Sequence, residues 1–139
     1  MKLRFLVAFA VVSAVLVVPA TAHHAFNVFY DDTRTISIEG VVTSFRLVNP
    51  HSEMLVDVTD DAGNVVPWRI LARTSSTNLR RLGLQPETFI GKKLTIEGNP
   101  TRREGGTAMT AGTLTFEDGN VVCFGGCDET TSSTSSSAY

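Results

Sequence analysis

The segment Ile36–Leu47 reads ISIEGVVTSFRL, and its apolar side chains alternate with polar ones on both sides of a single glycine. Alternation with a period of two predicts a strand that turns one face toward a core. The two isoleucines before the glycine occupy one phase, whereas Val41, Phe45 and Leu47 after it occupy the other. A change of phase at a glycine is typical of a bulge or sharp bend. We therefore expect one long strand that bends at Gly40.

Two further alternating segments follow this strand. Residues 54–58 and 66–70 each place apolar side chains at every second position, and Asp60–Asn64, with the sequence DDAGN, separates them. Asp, Gly and Asn are turn formers because they hydrogen-bond to nearby backbone or accept a positive φ. The sequence therefore predicts an antiparallel hairpin, with Trp68 packed in the core in phase with Val66 and Ile70.

A short helix is predicted after the hairpin. Residues 74–77, with the sequence TSST, offer several side chains that could cap its first turn. Leu79 and Leu82 are spaced for one helical face, and Gly83 stands where a glycine commonly ends a helix.

Strand patterning then resumes at residues 94–98, 109–116 and 121–124. The order is three strands, one helix, and two or three strands, with a long bent strand first. This order predicts an all-β fold with one short helix, a small β-barrel of the oligonucleotide/oligosaccharide-binding (OB) type, in which the bent strand serves both sheets. A plain meander or a small sandwich is the alternative.

The two ends of the chain differ from this middle part. Lys2 and Arg4 precede an uncharged apolar run, and residues 20–22 read ATA, as at a signal-peptidase site. We predict a signal peptide at residues 1–22, one domain at 23–127, and a disordered Ser/Thr-rich tail at 128–139. The apolar run is short for a membrane span. The mature protein is thus expected in the periplasm or secreted, with no membrane span.

The charge of the mature chain argues against a nucleic-acid partner. The whole chain has 12 basic and 14 acidic side chains, and removal of Lys2 and Arg4 leaves a formal net charge of −4. Binding to nucleic acid depends on basic surface that neutralises phosphates. We expect no nucleic acid among the partners.

Three histidines suggest a metal site. Signal cleavage would make His23 the first residue, so that its α-amine and its ring Nδ1 could chelate one metal ion. His51 in the turn between the first two strands could supply an opposing imidazole, and His24 is a further candidate ligand. Such a nitrogen-only set, a histidine brace, suits copper. Copper is therefore the candidate cofactor.

Two cysteines, Cys123 and Cys127, enclose the sequence FGG. In an exported protein such a pair predicts a disulfide. A Cu(I) site formed by the two thiolates is the alternative, and it would require a reduced state.

Motifs for catalysis are missing from the sequence. It has no GxSxG elbow and no phosphate-binding glycine loop, so we predict that the protein is not an enzyme. Two hypotheses remain. The protein is an exported copper-binding module, or it is a metal-free interaction module for a protein, a glycan or a cell-envelope component.

The same residues carry a family resemblance. His23–Phe26, Asn49–His51 and Leu79–Gly83, together with residues 39–43 and Trp68, resemble a family of small exported bacterial proteins of unknown function. The likeness runs from about residue 23 to residue 122. Members often read HHSF at the mature start, where this chain has Ala25. The resemblance implies an exported small β domain and no particular activity.

Overall fold

The structure is a computed structural model, and it describes residues 26–125. The predicted signal peptide and the predicted tail lie outside these residues. So do three of the predicted site residues, His23, His24 and Cys127.

Strands make up most of the described chain. Its elements are α1 (Phe26–Phe29), β1 (Ile36–Arg46), β2 (Glu53–Thr59), β3 (Val65–Ala72), α2 (Ser76–Arg81), α3 (Pro86–Phe89), β4 (Lys93–Pro100), β5 (Ala108–Phe116) and β6 (Val121–Cys123). No helix within residues 26–125 is long and apolar enough to cross a membrane.

The strands form a closed barrel. Their order is β3-β2-β1-β4-β5-β6, and an additional parallel pairing of β3 with β5 closes five of them into a cylinder. The first half of β1 pairs with β4 and its second half with β2, so one strand serves both sides. The predicted small all-β barrel is confirmed. The more specific assignment to the OB type stays a prediction.

The predicted bend at Gly40 is wrong in its position. β1 keeps one phase through the glycine, so that Val42 is buried and Val41 is 41% exposed. The register against β2 shifts between Val42 and Ser44, two residues later. This bulge turns Phe45 inward, as expected. The position was misjudged because Val41 and Val42 are equally apolar, so the pattern does not show which of them faces the core.

Gly40 has a different role, which is to allow close packing of two strands. A Cβ atom at this position would lie 2.5 Å from the carbonyl oxygen of Asp57 and 2.7 Å from Cγ1 of Val56. Both distances are far below van der Waals contact. A side chain at position 40 would therefore push β2 away from β1.

The predicted hairpin is confirmed. β2 and β3 pair antiparallel from Glu53–Leu71 to Thr59–Val65. In the turn, a carboxylate oxygen of Asp60 accepts hydrogen bonds from the backbone N–H of Ala62 (2.9 Å) and of Asn64 (2.8 Å). Trp68 is partly buried and packs against the core, as predicted.

Helix α2 begins and ends where the sequence predicts. Ser75 caps it by accepting a hydrogen bond from the N–H of Asn78 (3.2 Å). At the other end Gly83 has a φ of 72°, and the N–H of Leu84 donates to the carbonyl of Leu79 (3.0 Å). This is the glycine-dependent Schellman geometry.

The expectation of a single helix is incomplete, because α1 and α3 are additional one-turn helices. Four residues are too few to show a helical period, so periodicity could not reveal them. The apolar face predicted for α2 is also only half correct. Leu79 is fully buried, whereas Leu82 is 60% exposed.

Aromatic rings fill one part of the core. Phe89 lies between Phe45 and Phe116, with ring centroids 5.0 and 5.7 Å away, and Phe124 packs 5.6 Å from Phe45. Phe124 comes from the chain just after β6, so this last segment is attached to the barrel by a fully buried side chain.

Replacement of Gly40 by alanine tests the close approach of β1 and β2. We expect Gly40→Ala to lower the free energy of unfolding by about 1–3 kcal/mol, because its Cβ would overlap the Asp57 carbonyl. Gly112→Ala is the matched control, since the nearest atom to its Cβ would be 3.6 Å away. Urea unfolding measures both. Equal midpoints for the two variants would contradict this role of Gly40.

Candidate functional site

A cavity of about 570 Å³ opens where the amino-terminal segment meets the barrel. Its wall comes from four separate parts of the chain: α1 with the following Tyr30, the β1–β2 loop with His51, strand β3 with Arg69 and Leu71, and the segment 101–108 between β4 and β5. Its volume falls in the range of small-molecule sites.

The β1–β2 loop holds His51 between two anchored residues. On one side, the hydroxyl of Ser76 donates to the side-chain oxygen of Asn49 (2.7 Å), and the Asn49–Pro50 peptide bond is cis. On the other side, the carbonyl of the fully buried Ser52 accepts from the N–H of Ala72 (2.9 Å). These contacts fix the backbone at His51.

The ring of His51 contacts Phe26, the first described residue. Their centroids are 4.5 Å apart in an edge-to-face arrangement. The guanidinium of Arg73 lies over the Phe26 ring, 5.7 Å from its centroid. Phe26 therefore contacts both side chains, and this brings the start of the described chain beside the Asn-Pro-His turn.

Helix α1 is fastened to the barrel by backbone contacts and by Arg102. The Arg102 side chain donates to the carbonyl of Asn27 (2.8 Å), and its backbone N–H donates to the carbonyl of Phe29 (2.9 Å). The N–H of Asp31 donates to the carbonyl of Pro100 (2.8 Å). Helix α1 and Asp31 are thus held against the end of β4.

Ion pairs of Arg102 also help to attach α1 and the residues that follow it to the barrel. The guanidinium of Arg102 lies 3.5 Å from a carboxylate oxygen of Asp31 and 3.6 Å from one of Asp32. A hydrogen bond from the Thr33 hydroxyl, with a smaller contribution from Arg102, lowers the pKa of Asp31. The Arg102 side chain is 45% exposed, so this pairing adds little stability by itself.

Tyr30 and Arg69 form another part of the cavity wall. Burial raises the pKa of the Tyr30 phenol, which therefore stays neutral at physiological pH. Nε and Nη2 of Arg69 both lie 2.6 Å from the same carboxylate oxygen of Glu53. The ion pair holds the guanidinium in one orientation.

The metal site that the sequence predicts lies only partly within the described residues. Of its three histidines, His51 is described and lies in the cavity wall, whereas His23 and His24 are outside the described residues. Residues 26–125 contain no group of three His, Cys, Asp or Glu side chains that could hold a metal ion. A metal site with three such ligands would need at least one ligand from outside residues 26–125.

The predicted disulfide is likewise at the edge of the described chain. Cys123 ends β6, and no cysteine between residues 26 and 125 is a free thiol. Cys127 lies outside these residues, so the pairing of the two cysteines stays a prediction.

Sequence reasoning missed several residues of the cavity wall, notably Tyr30, Arg69 and Arg103. They are far apart in sequence and belong to no motif, so no local pattern marks them. The Arg102-Arg103 doublet is visible in the sequence, but only the fold shows that one arginine holds α1 while the other lines the cavity.

Comparison with known proteins finds a family but no activity. A family model described as a family of unknown function matches residues 10–111. The matched segment contains all three histidines, whereas both cysteines follow it. No curated protein and no solved structure matches the chain.

Arg102→Gln tests the attachment of α1. Loss of its hydrogen bond to Asn27 and its two ion pairs should lower the free energy of local opening of α1 by about 1 kcal/mol. The amide of Tyr30, which donates to the carbonyl of Phe26 at 2.7 Å, should then exchange its hydrogen about fivefold faster. Arg103→Gln is the control, because Arg103 makes no hydrogen bond or ion pair with α1 among the described residues. Unchanged exchange in Arg102→Gln would show that Arg102 does not hold the helix.

Proposed function

The chain belongs to a family of unknown function (DUF6152), and we propose that the exported, mature form of this protein binds one copper ion through a histidine brace. The α-amine and ring Nδ1 of His23 provide two ligands. The imidazole of His51 provides the third, and His24 is a candidate additional ligand. Nitrogen-only coordination of this kind favours Cu(II).

One observation carries the proposal, the ring contact of Phe26 with His51 at 4.5 Å. Position 23 is three residues before position 26, and an extended chain spans about 3.3–3.6 Å per residue. The α-amine of a chain that starts at His23 can therefore be no farther than about 11 Å from the Phe26 backbone. This short tether supports coordination of one ion by both His23 and His51.

The anchoring of both segments supports the proposal further. Arg102 fastens α1, and Ser76 with Ala72 fixes the loop that carries His51. Binding is stronger when ligand groups are ordered in advance, because less conformational entropy is lost. Only the residues before Phe26 would have to adjust around the ion.

We propose binding or delivery of copper, not catalysis, because the sequence carries no motif that pairs a nucleophile with a base. Export is part of the proposal, since His23 offers its α-amine only after cleavage behind Ala22. If copper binding fails the test below, a metal-free interaction module for a protein, a glycan or an envelope component becomes the better hypothesis.

Copper titration of mature protein with a native His23 terminus tests the brace. We expect one equivalent of Cu(II), and affinity at least about tenfold lower when three alanines precede His23, because the amine–imidazole chelate is then lost and no histidine stands within the first three residues, where it could bind copper together with the new α-amine. His51→Phe should weaken binding similarly while keeping a ring against Phe26. Three alanines added after Tyr139 are the matched control and should change nothing.

Affinity in the same assay should fall below about pH 6, where protons compete for the imidazoles. Zn(II) should bind more weakly than Cu(II). The brace is contradicted if either the three alanines added before His23 or His51→Phe leaves copper affinity unchanged.

We also propose that Cys123 and Cys127 form a disulfide in the exported protein. One support is the oxidising environment of exported proteins. The other is that Cys123 precedes Phe124, whose ring is fully buried and whose backbone N–H donates to the carbonyl of Gly112 (2.8 Å), so the start of the loop between the two cysteines is held in place. Counting thiols in denatured, unreduced protein should find none, and two after reduction. Two thiols before reduction would rule out the disulfide and favour the Cu(I) alternative.

A further inference from the structure

The charge of the cavity wall is opposite to that of the protein. The chain has a formal net charge of −2, yet the wall contains Arg69 and Arg103 and not one Asp or Glu. Arg69 is already paired with Glu53, so the positive charge at the cavity comes mainly from Arg103, and a guanidinium without a neighbouring carboxylate attracts anions. The cavity is therefore suited to a ligand of negative charge.

The two arginines differ in how they are held. Arg69 is oriented by Glu53, which occupies only Nε and Nη2 and leaves Nη1 as a donor. Arg103 makes no ion pair within residues 26–125, but its backbone is fixed. Its N–H donates to the hydroxyl of Thr101 (3.2 Å), and its carbonyl accepts from Gly106 (3.0 Å). The guanidinium of Arg69 is therefore already oriented by Glu53, whereas the guanidinium of Arg103 can turn toward a ligand.

Part of the remaining wall is apolar. Phe26 and Leu71 contribute to it, and so does Phe29, which is 67% exposed. Tyr30 adds no opposing charge, because burial raises the pKa of its phenol. A ligand with an apolar body would cover the exposed ring of Phe29 and remove it from water.

We propose that this cavity binds a small organic carboxylate with an apolar body, its carboxylate at Arg103 and Arg69 and its body against Phe29. Carboxylates match the planar donor fork of arginine. The site is formed by the barrel, α1 and the segment 101–108, all of them described residues, so it does not depend on copper.

The test uses mature protein depleted of metal and 4-phenylbutyrate as the probe. Amide shifts of ¹⁵N-labelled protein should saturate during titration, with the largest changes at Phe29, Thr101 and Thr107, which line the cavity. The neutral analogue 4-phenylbutyramide should bind at least about fivefold more weakly, because it lacks the charge. Acetate, which lacks the body, should also bind at least about fivefold more weakly.

Arg103→Gln should weaken binding of 4-phenylbutyrate at least about fivefold. Arg81→Gln is the matched control, because Arg81 is an exposed arginine of α2 outside the cavity. The proposal is overturned if the amide binds as well as the acid, if Arg103→Gln binds as well as the native protein, or if no saturable shifts occur at the cavity. Because no metal is present, either of the two proposals can fail while the other stands.

Discussion

Parallel pairing of β3 with β5 is the contact on which the cavity depends. It aligns Arg69 with Ala108 and Ala72 with Ala111, and the N–H of Arg69 donates to the carbonyl of Thr107 (2.9 Å). The segment 101–108 is thereby held beside β3. The same segment holds α1 through Arg102. Barrel closure thus leads directly to the position of Phe26 next to His51.

The elements that sequence predicts correctly are those governed by local chemistry. The DDAGN turn at residues 60–64 hydrogen-bonds to itself, and Ser75 with Gly83 sets both ends of α2. The bulge in β1 was misplaced because two adjacent valines give the same hydrophobic signal, whichever of them faces inward. Only pairing with both β2 and β4 selects Val42 for the core.

The site could be predicted only in part, for a similar reason. Three histidines in two short segments are visible in the sequence, and the fold adds that His51 meets the chain three residues after His23. The cavity around His51 was not predictable, since Tyr30, Arg69 and Arg103 meet only through strand pairing far along the chain. The net charge of the chain does not indicate arginines at a cavity either, because acidic side chains outnumber basic ones in the sequence.

The account depends most on a single copper ion joining the mature amino terminus to His51. Pulsed electron paramagnetic resonance of the Cu(II)-loaded mature protein, with ¹⁵N-labelled histidines, measures this directly. We predict couplings from two imidazoles in the native protein and from one in His51→Phe. Couplings that are the same in both proteins would show that His51 is not a ligand and would contradict the account.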